Sequence, residues 1–139
     1  MARQDVSARC NAIEECYEFL LAYAGQGLTG KENSQPNSQV REYLNRAVEA
    51  LSDLPESYDE AIRHENLQPV QPYLAFLAVL EKDVRDSLVT IQLVLAQPTI
   101  SSQLVDNLNA SIHLRALLTD LFLIDEILKP QQIAAKPPQ

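Results

Sequence analysis

Tryptophan is absent, glycine occurs three times, cysteine and histidine twice each, and methionine once. So little glycine leaves scant material for the many tight turns of a sandwich or barrel. With a 46% hydrophobic fraction and abundant Leu and Ala, the composition predicts an all-α chain. Two histidines also leave little for metal chemistry. Glu60 and His64 stand four apart, a spacing that suits a metal on a helix, but the paired Glu-x-x-His motifs of di-metal carboxylate bundles are missing. No Gly-rich phosphate loop, no CxxC and no His-carboxylate-nucleophile order is present either. The expectation is therefore no catalytic residue, no metal and no cofactor.

Positive charge is the other shortage. Eleven Lys and Arg against 19 Asp and Glu give a formal charge of −8, whereas a phosphate backbone is bound by a basic surface that releases counterions. Nucleic acid is accordingly excluded as an expected partner, and any charged partner should be basic or neutral. The opening MARQDVSARCNAIEE has no apolar core behind its first Arg, which argues against a signal peptide. In the most apolar stretch, Leu114 to Leu128, the run is interrupted by Arg115, Asp120, Asp125 and Glu126, and it falls short of the roughly 20 apolar residues a bilayer requires. A cytoplasmic chain with no membrane contact is expected. Cys10 and Cys16, six apart, project roughly 120° from each other on a helix and read as small core residues in a reducing compartment.

What is present is helical periodicity. Val6, Cys10, Ile13, Tyr17, Leu20 and Ala24 mark a first helix from about Arg3 to Ala24. GQGLTGKENSQPNS then breaks the pattern, and this long loop, 25–38, is expected to be mobile because its small polar residues bury little. Val40, Leu44, Ala47, Leu51 and Leu54 mark a second helix with Ser38 as its cap. DLPE signals a break at Pro55, followed by a short extra helix to about Glu65. A third long helix starts near Pro72 and carries Tyr73, Leu77, Leu80, Val84, Leu88, Ile91 and Leu95, the cleanest amphipathic pattern in the chain. A fourth, capped by Thr99 or Ser101, is expected to run unbroken to Lys129, where Pro130 ends it. Together these predict one domain over 1–129, an antiparallel four-helix bundle with a short extra helix after Pro55, and a flexible tail over 130–139.

Two of these helices carry more apolar surface than one core can cover. Beside its regular stripe, the first has Ala12, Cys16, Phe19 and Tyr23. On the fourth, Leu108 and Phe122 lie away from Leu114, Leu117 and Leu121. Large contiguous apolar patches are rarely left exposed on soluble monomers, so these faces are covered either within the chain, by the segment from Pro55 to Leu67 or the long loop, or by self-association. The expectation is thus a non-enzymatic interaction protein, an adaptor, assembly factor or regulator, acting as a C2 homodimer through Ala12, Cys16, Phe19, Tyr23, Leu108 and Phe122, with a further protein partner as an option. The alternative is an enzyme or small-ligand binder with its pocket in the bundle or the dimer seam. That version would use His113 and also Arg9 and Arg115, which fall within apolar arcs and either snorkel to water or are buried to suit an anion or an ion pair with Asp83, Asp86, Asp125 or Glu126. Asn109, His113 and Asp120 otherwise form a narrow solvated strip, and the Asn109-Ala-Ser111 sequon is discounted because it is expected mid-helix.

Overall fold

The computed structural model describes residues 2–31 and 35–134. They form six helices and, among the described residues, no strand: α1 Ala2–Ala24, α2 Gln35–Ser52, α3 Leu54–Glu65, α4 Val70–Leu95, α5 Ser102–Ala110 and α6 Ile112–Ala134. No helix is long and apolar enough to cross a membrane.

Each of α1 and α4 packs against α2, α3, α5 and α6, while α1 and α4 do not meet. This arrangement explains why α1 needs two apolar stripes. One side meets the α2 and α3 pair and the other meets α5 and α6. Val6, Cys10, Ile13, Cys16, Leu20 and Tyr23 are accordingly all buried. Phe19 is half-buried and stacks on Tyr43 of α2, with ring centroids 4.4 Å apart. The spare face expected on the first helix is covered within the chain.

The expected break at Pro55 is present. Pro55 sits in the first turn of α3, where its missing amide has no helical role, and Asn66 closes α3 in the left-handed conformation at φ 52°. α4 begins at Val70, two residues before Pro72. At the next turn the Ser101 side chain caps α5 by accepting from the Leu104 amide at 3.0 Å.

The single fourth helix expected from the sequence is two helices. Ser111 adopts an extended conformation, φ −64° and ψ 142°, which ends α5. Its Oγ then accepts from the Leu114 amide at 3.2 Å, so the same residue caps α6 and satisfies a donor that a new N-terminus would leave unpaired. This break resets the rotational phase. Val105 and Leu108 of α5 and Leu114, Leu117, Leu118 and Leu121 of α6, which one continuous wheel sets on opposite sides, are all buried.

At its other end, α6 continues past Pro130 to Ala134. Proline removes one ladder bond but has a helical φ, and here it does not stop the helix. The tail expected over 130–139 is therefore helical in part, and residues 135–139 lie outside the described residues.

The loop after α1 is held at its start. Leu28 and Ser102 exchange two hydrogen bonds, Leu28 N to Ser102 Oγ and Ser102 N to Leu28 O, each 2.8 Å. Ser102 Oγ donates in turn to Tyr23 O at 2.6 Å, and Tyr23 Oη donates to Ile100 O at 2.7 Å. Gly30 has φ 87°, and the backbone of Ile100 lies against it. Within the loop expected to be mobile from Gly25 onward, Leu28 is therefore tied through its backbone to the start of α5. Residues 32–34 lie outside the described residues, and α2 begins at Gln35, which puts Ser38 inside the helix instead of at its cap.

Candidate interaction face and a buried carboxyl

The residues singled out in the sequence separate into a buried group and an exposed group. Cys16, Tyr23 and Leu108 are buried, and Ala12 and Phe19 pack against the same core. Burial pushes the thiols of Cys10 and Cys16 up to about 12, so both are protonated and inert near neutral pH. Phe122, by contrast, is 55% exposed.

Arg9, partly exposed, pairs with none of the four carboxylates proposed for it. Its Nε donates to Asp5 at 3.0 Å, and its Nη1 donates to the carbonyls of Glu49 and Ala50 at 3.4 and 3.1 Å. These carbonyls belong to the last turn of α2, where helical partners run out and a cation is favoured. Asp5 also accepts from the Ser57 hydroxyl of α3. That bond, followed by Arg9, holds the Asp5 carboxyl below its ordinary range. Arg9 is thus a cap that joins α1 to the α2–α3 corner.

Arg41, which carries no sequence signal, does the same at the end of α4, donating to the carbonyls of Leu95, Gln97 and Pro98 at 3.0, 2.7 and 3.2 Å. Arg115 and His113 are exposed on α6, away from Arg9, and the three do not converge on one pocket. Glu60 and His64 are both exposed, and among the described residues no group of three potential ligands surrounds them.

The polar strip expected on the fourth helix is largely internal. Asn109 is buried and donates through Nδ2 to Leu20 O at 3.2 Å, which removes it from any glycosylation. Asp120 is 5% exposed, its Oδ2 has no hydrogen-bond partner among the described residues, and the carboxyl faces Asp83 of α4. Burial, followed by the hydrogen bond and charge of Asp83, pushes Asp120 up to about 8. No periodicity along the chain marks Asp120 as buried, because the break at Ser111 resets the phase of the helix that carries it.

Above about pH 4 the unfolded chain has released this proton, whereas the folded chain retains it until about pH 8. The stability it contributes is full at acid pH and is lost as pH rises through that window. Asp120→Asn should flatten the slope and raise stability at pH 8 by about 1–2 kcal/mol, a figure discounted for partial solvent screening. Urea unfolding at pH 5 and pH 8 measures this, and equal pH slopes in variant and wild type would place the proton elsewhere.

Apart from Leu21 of α1, which is 50% exposed, the exposed large apolar side chains among the described residues lie on two neighbouring helices. Val79, Val89 and Leu93 of α4 and Ile112, Phe122, Leu123 and Ile127 of α6 are each at least 46% exposed. Where α4 and α6 pack side by side, Tyr73 and Phe76 form one wall of a groove of ≈ 390 Å³, and Leu123, Ile124 and Ile127 form the other. The Tyr58 hydroxyl in its floor donates to Tyr73 O at 2.9 Å, so it is already committed. The groove is apolar and lacks convergent polar groups, which is unlike a catalytic pocket. α4, the cleanest amphipathic helix in the sequence, thus also carries Val79, Val89 and Leu93 on its outer side, with Lys82 and Asp86 between them. No family model, no curated protein and no solved structure matches this chain.

Proposed function

We propose that this chain is a non-enzymatic helical interaction protein, an adaptor, assembly factor or regulator, working as a homodimer through the outer faces of α4 and α6. The observation that carries this reading is the concentration of exposed large apolar side chains on those two helices, since scattered exposure is ordinary and contiguous exposure marks an interface. In this reading the six helices act as an antiparallel bundle of four legs: α1, α2 with α3, α4, and α5 with α6. Phe122 stays at the interface, and the α1 residues serve the core. The protonated thiols of Cys10 and Cys16 suit a reducing cytoplasm, and the charge of −8 suits a basic or neutral partner.

Light scattering coupled to size exclusion tests the reading. The wild type should show a mass above the 15.5 kDa of one chain, rising toward twice that value with concentration. Leu123→Glu, at a site 47% exposed in the single chain, should lower the mass while leaving the melting temperature within a few degrees. A wild-type mass fixed at 15.5 kDa at every concentration would sink self-association.

A second reading, a binder of small apolar ligands, is favoured by the lining of the groove. Saturable binding of a fluorescent apolar probe, abolished by Phe76→Asp and unaffected by dilution to the monomer, would support it over the first.

A further inference from the structure

The exposed stripe of α4 consists of Ala75, Val79, Lys82, Asp86, Val89 and Leu93. It advances by alternating steps of four and three, the spacing of a coiled-coil seam. All six are exposed or half-exposed, and the opposite side of the helix, with Leu80, Val84, Ile91 and Val94, is buried in the core. The stripe reads the same way from both ends. About a centre at Val84, Ala75 is matched by Leu93, Val79 by Val89, and Lys82 by Asp86. Turned over and laid against itself, it meets small against large apolar residues at its ends, Val against Val further in, and a cation against an anion at each of the two central positions. In an antiparallel helix pair, residues related in this way share a layer.

We propose that α4 pairs antiparallel with α4 of a second copy of this chain, about a two-fold axis at Val84, with Lys82 of each copy against Asp86 of the other. This rests on the proposed function and supplies the register that function leaves open. Charge complementarity and the symmetry of the stripe select a second copy over an unrelated partner, since an isologous interface must be complementary to itself.

Within one chain Lys82 Nζ donates to Asp86 Oδ2 at 2.8 Å, so pairing of two copies builds a ring of four alternating charges from two existing pairs. Charged residues at seam positions give up affinity and in return fix register and orientation. On the flanks the same axis sets Arg85 beside its own copy and Asp83 beside its own. Glu81, one turn from Arg85, offsets the first, and Lys82, which feels the charge of Asp83, offsets the second. A single helix pair of this length is small for a stable dimer, which buries about 1,200–2,000 Å² in total. Leu123 and Ile127, on the α6 side of α4, extend the apolar contact.

Full-length variants test the register directly. Lys82→Asp and Asp86→Lys each place like charges in the central layers, and each should raise the dimer dissociation constant by about tenfold or more. The double exchange should restore it to within about threefold. Val79→Cys with Val89→Cys supplies an independent measurement. Ten residues apart on one helix, the two thiols lie about 15 Å from each other along the axis, too far for a disulfide within a chain. Under mild oxidation the double variant should form a covalent dimer, and each single variant should remain unlinked.

A dimer that does not cross-link at this pair and is indifferent to both charge reversals overturns the register and leaves the interaction reading standing. A wild-type chain that stays at 15.5 kDa at all concentrations overturns both. Equal cross-linking of the single-cysteine variants also overturns the register, because position 79 would then meet its own copy.

Discussion

Gly30→Ala should lower folding stability by about 3 kcal/mol, from the strain of a left-handed conformation and from displaced neighbours together. Gly30 has φ +87°, and a Cβ built there would lie 2.7 Å from the carbonyl carbon of Ile100 and 2.8 Å from its nitrogen and oxygen. These are backbone atoms and cannot rotate away. They also belong to a connected site, because Ile100 O accepts from Tyr23 and Ser102 holds both Leu28 and the end of α1. Pushing Ile100 aside therefore strains several buried hydrogen bonds, whose loss leaves polar groups unpaired. Chemical denaturation reads the loss, and hydrogen exchange at Leu28 and Ser102 locates it. If Gly30→Ala unfolds at the wild-type denaturant midpoint, the loop is not anchored on Ile100.

Phe19→Glu should cost about 3 kcal/mol of folding stability, because it removes a packed ring and puts a carboxylate near an apolar core. The loss should be independent of protein concentration, since Phe19 stacks on Tyr43 of its own chain and lies 6.1 Å from the Tyr23 ring, centroid to centroid. Thermal melts across a range of concentrations, alongside light scattering, distinguish the alternatives. A variant with an unchanged melting temperature that sheds its dimer would place Phe19 at the interface between copies. The contrast with Leu123→Glu is informative, because the same charge on the outer face of α6 should change mass instead of stability.

Local signals in the sequence were sufficient for much of the fold. The helical stripes of α1, α2 and α4 are read correctly from four- and three-residue steps, since a periodicity of 3.6 is intrinsic to the backbone. Pro55 and Ser101 mark their boundaries because a missing amide and a capping hydroxyl act within one turn. Ser111 is a cap of the same kind, but the apolar run on both sides of it looks continuous, and only the change of axis exposes it. The second apolar stripe of α1 packs within the chain, an outcome the sequence does not reveal because counting apolar faces does not say how many neighbours a helix has. The exposed apolar residues of α4 carry no such signal, because the side they share with Lys82 and Asp86 looks like an ordinary wet side in the sequence.

The sequence by itself determined an all-helical chain, its main helix boundaries, the burial of Cys10 and Cys16, and an excess of apolar surface over what one core consumes. These follow from composition and from interactions within a turn or two of the chain. Only the tertiary structure decided where the excess lies. It put α1 between two pairs of helices and so consumed both its stripes, turned Asp120 inward against Asp83, and gave Arg9 and Arg41 to helix ends distant in sequence. Each of these depends on the direction of one helix axis relative to another. That direction is set by packing between segments up to 89 residues apart, as in the bond from Asn109 to Leu20, and no periodicity along the chain encodes it.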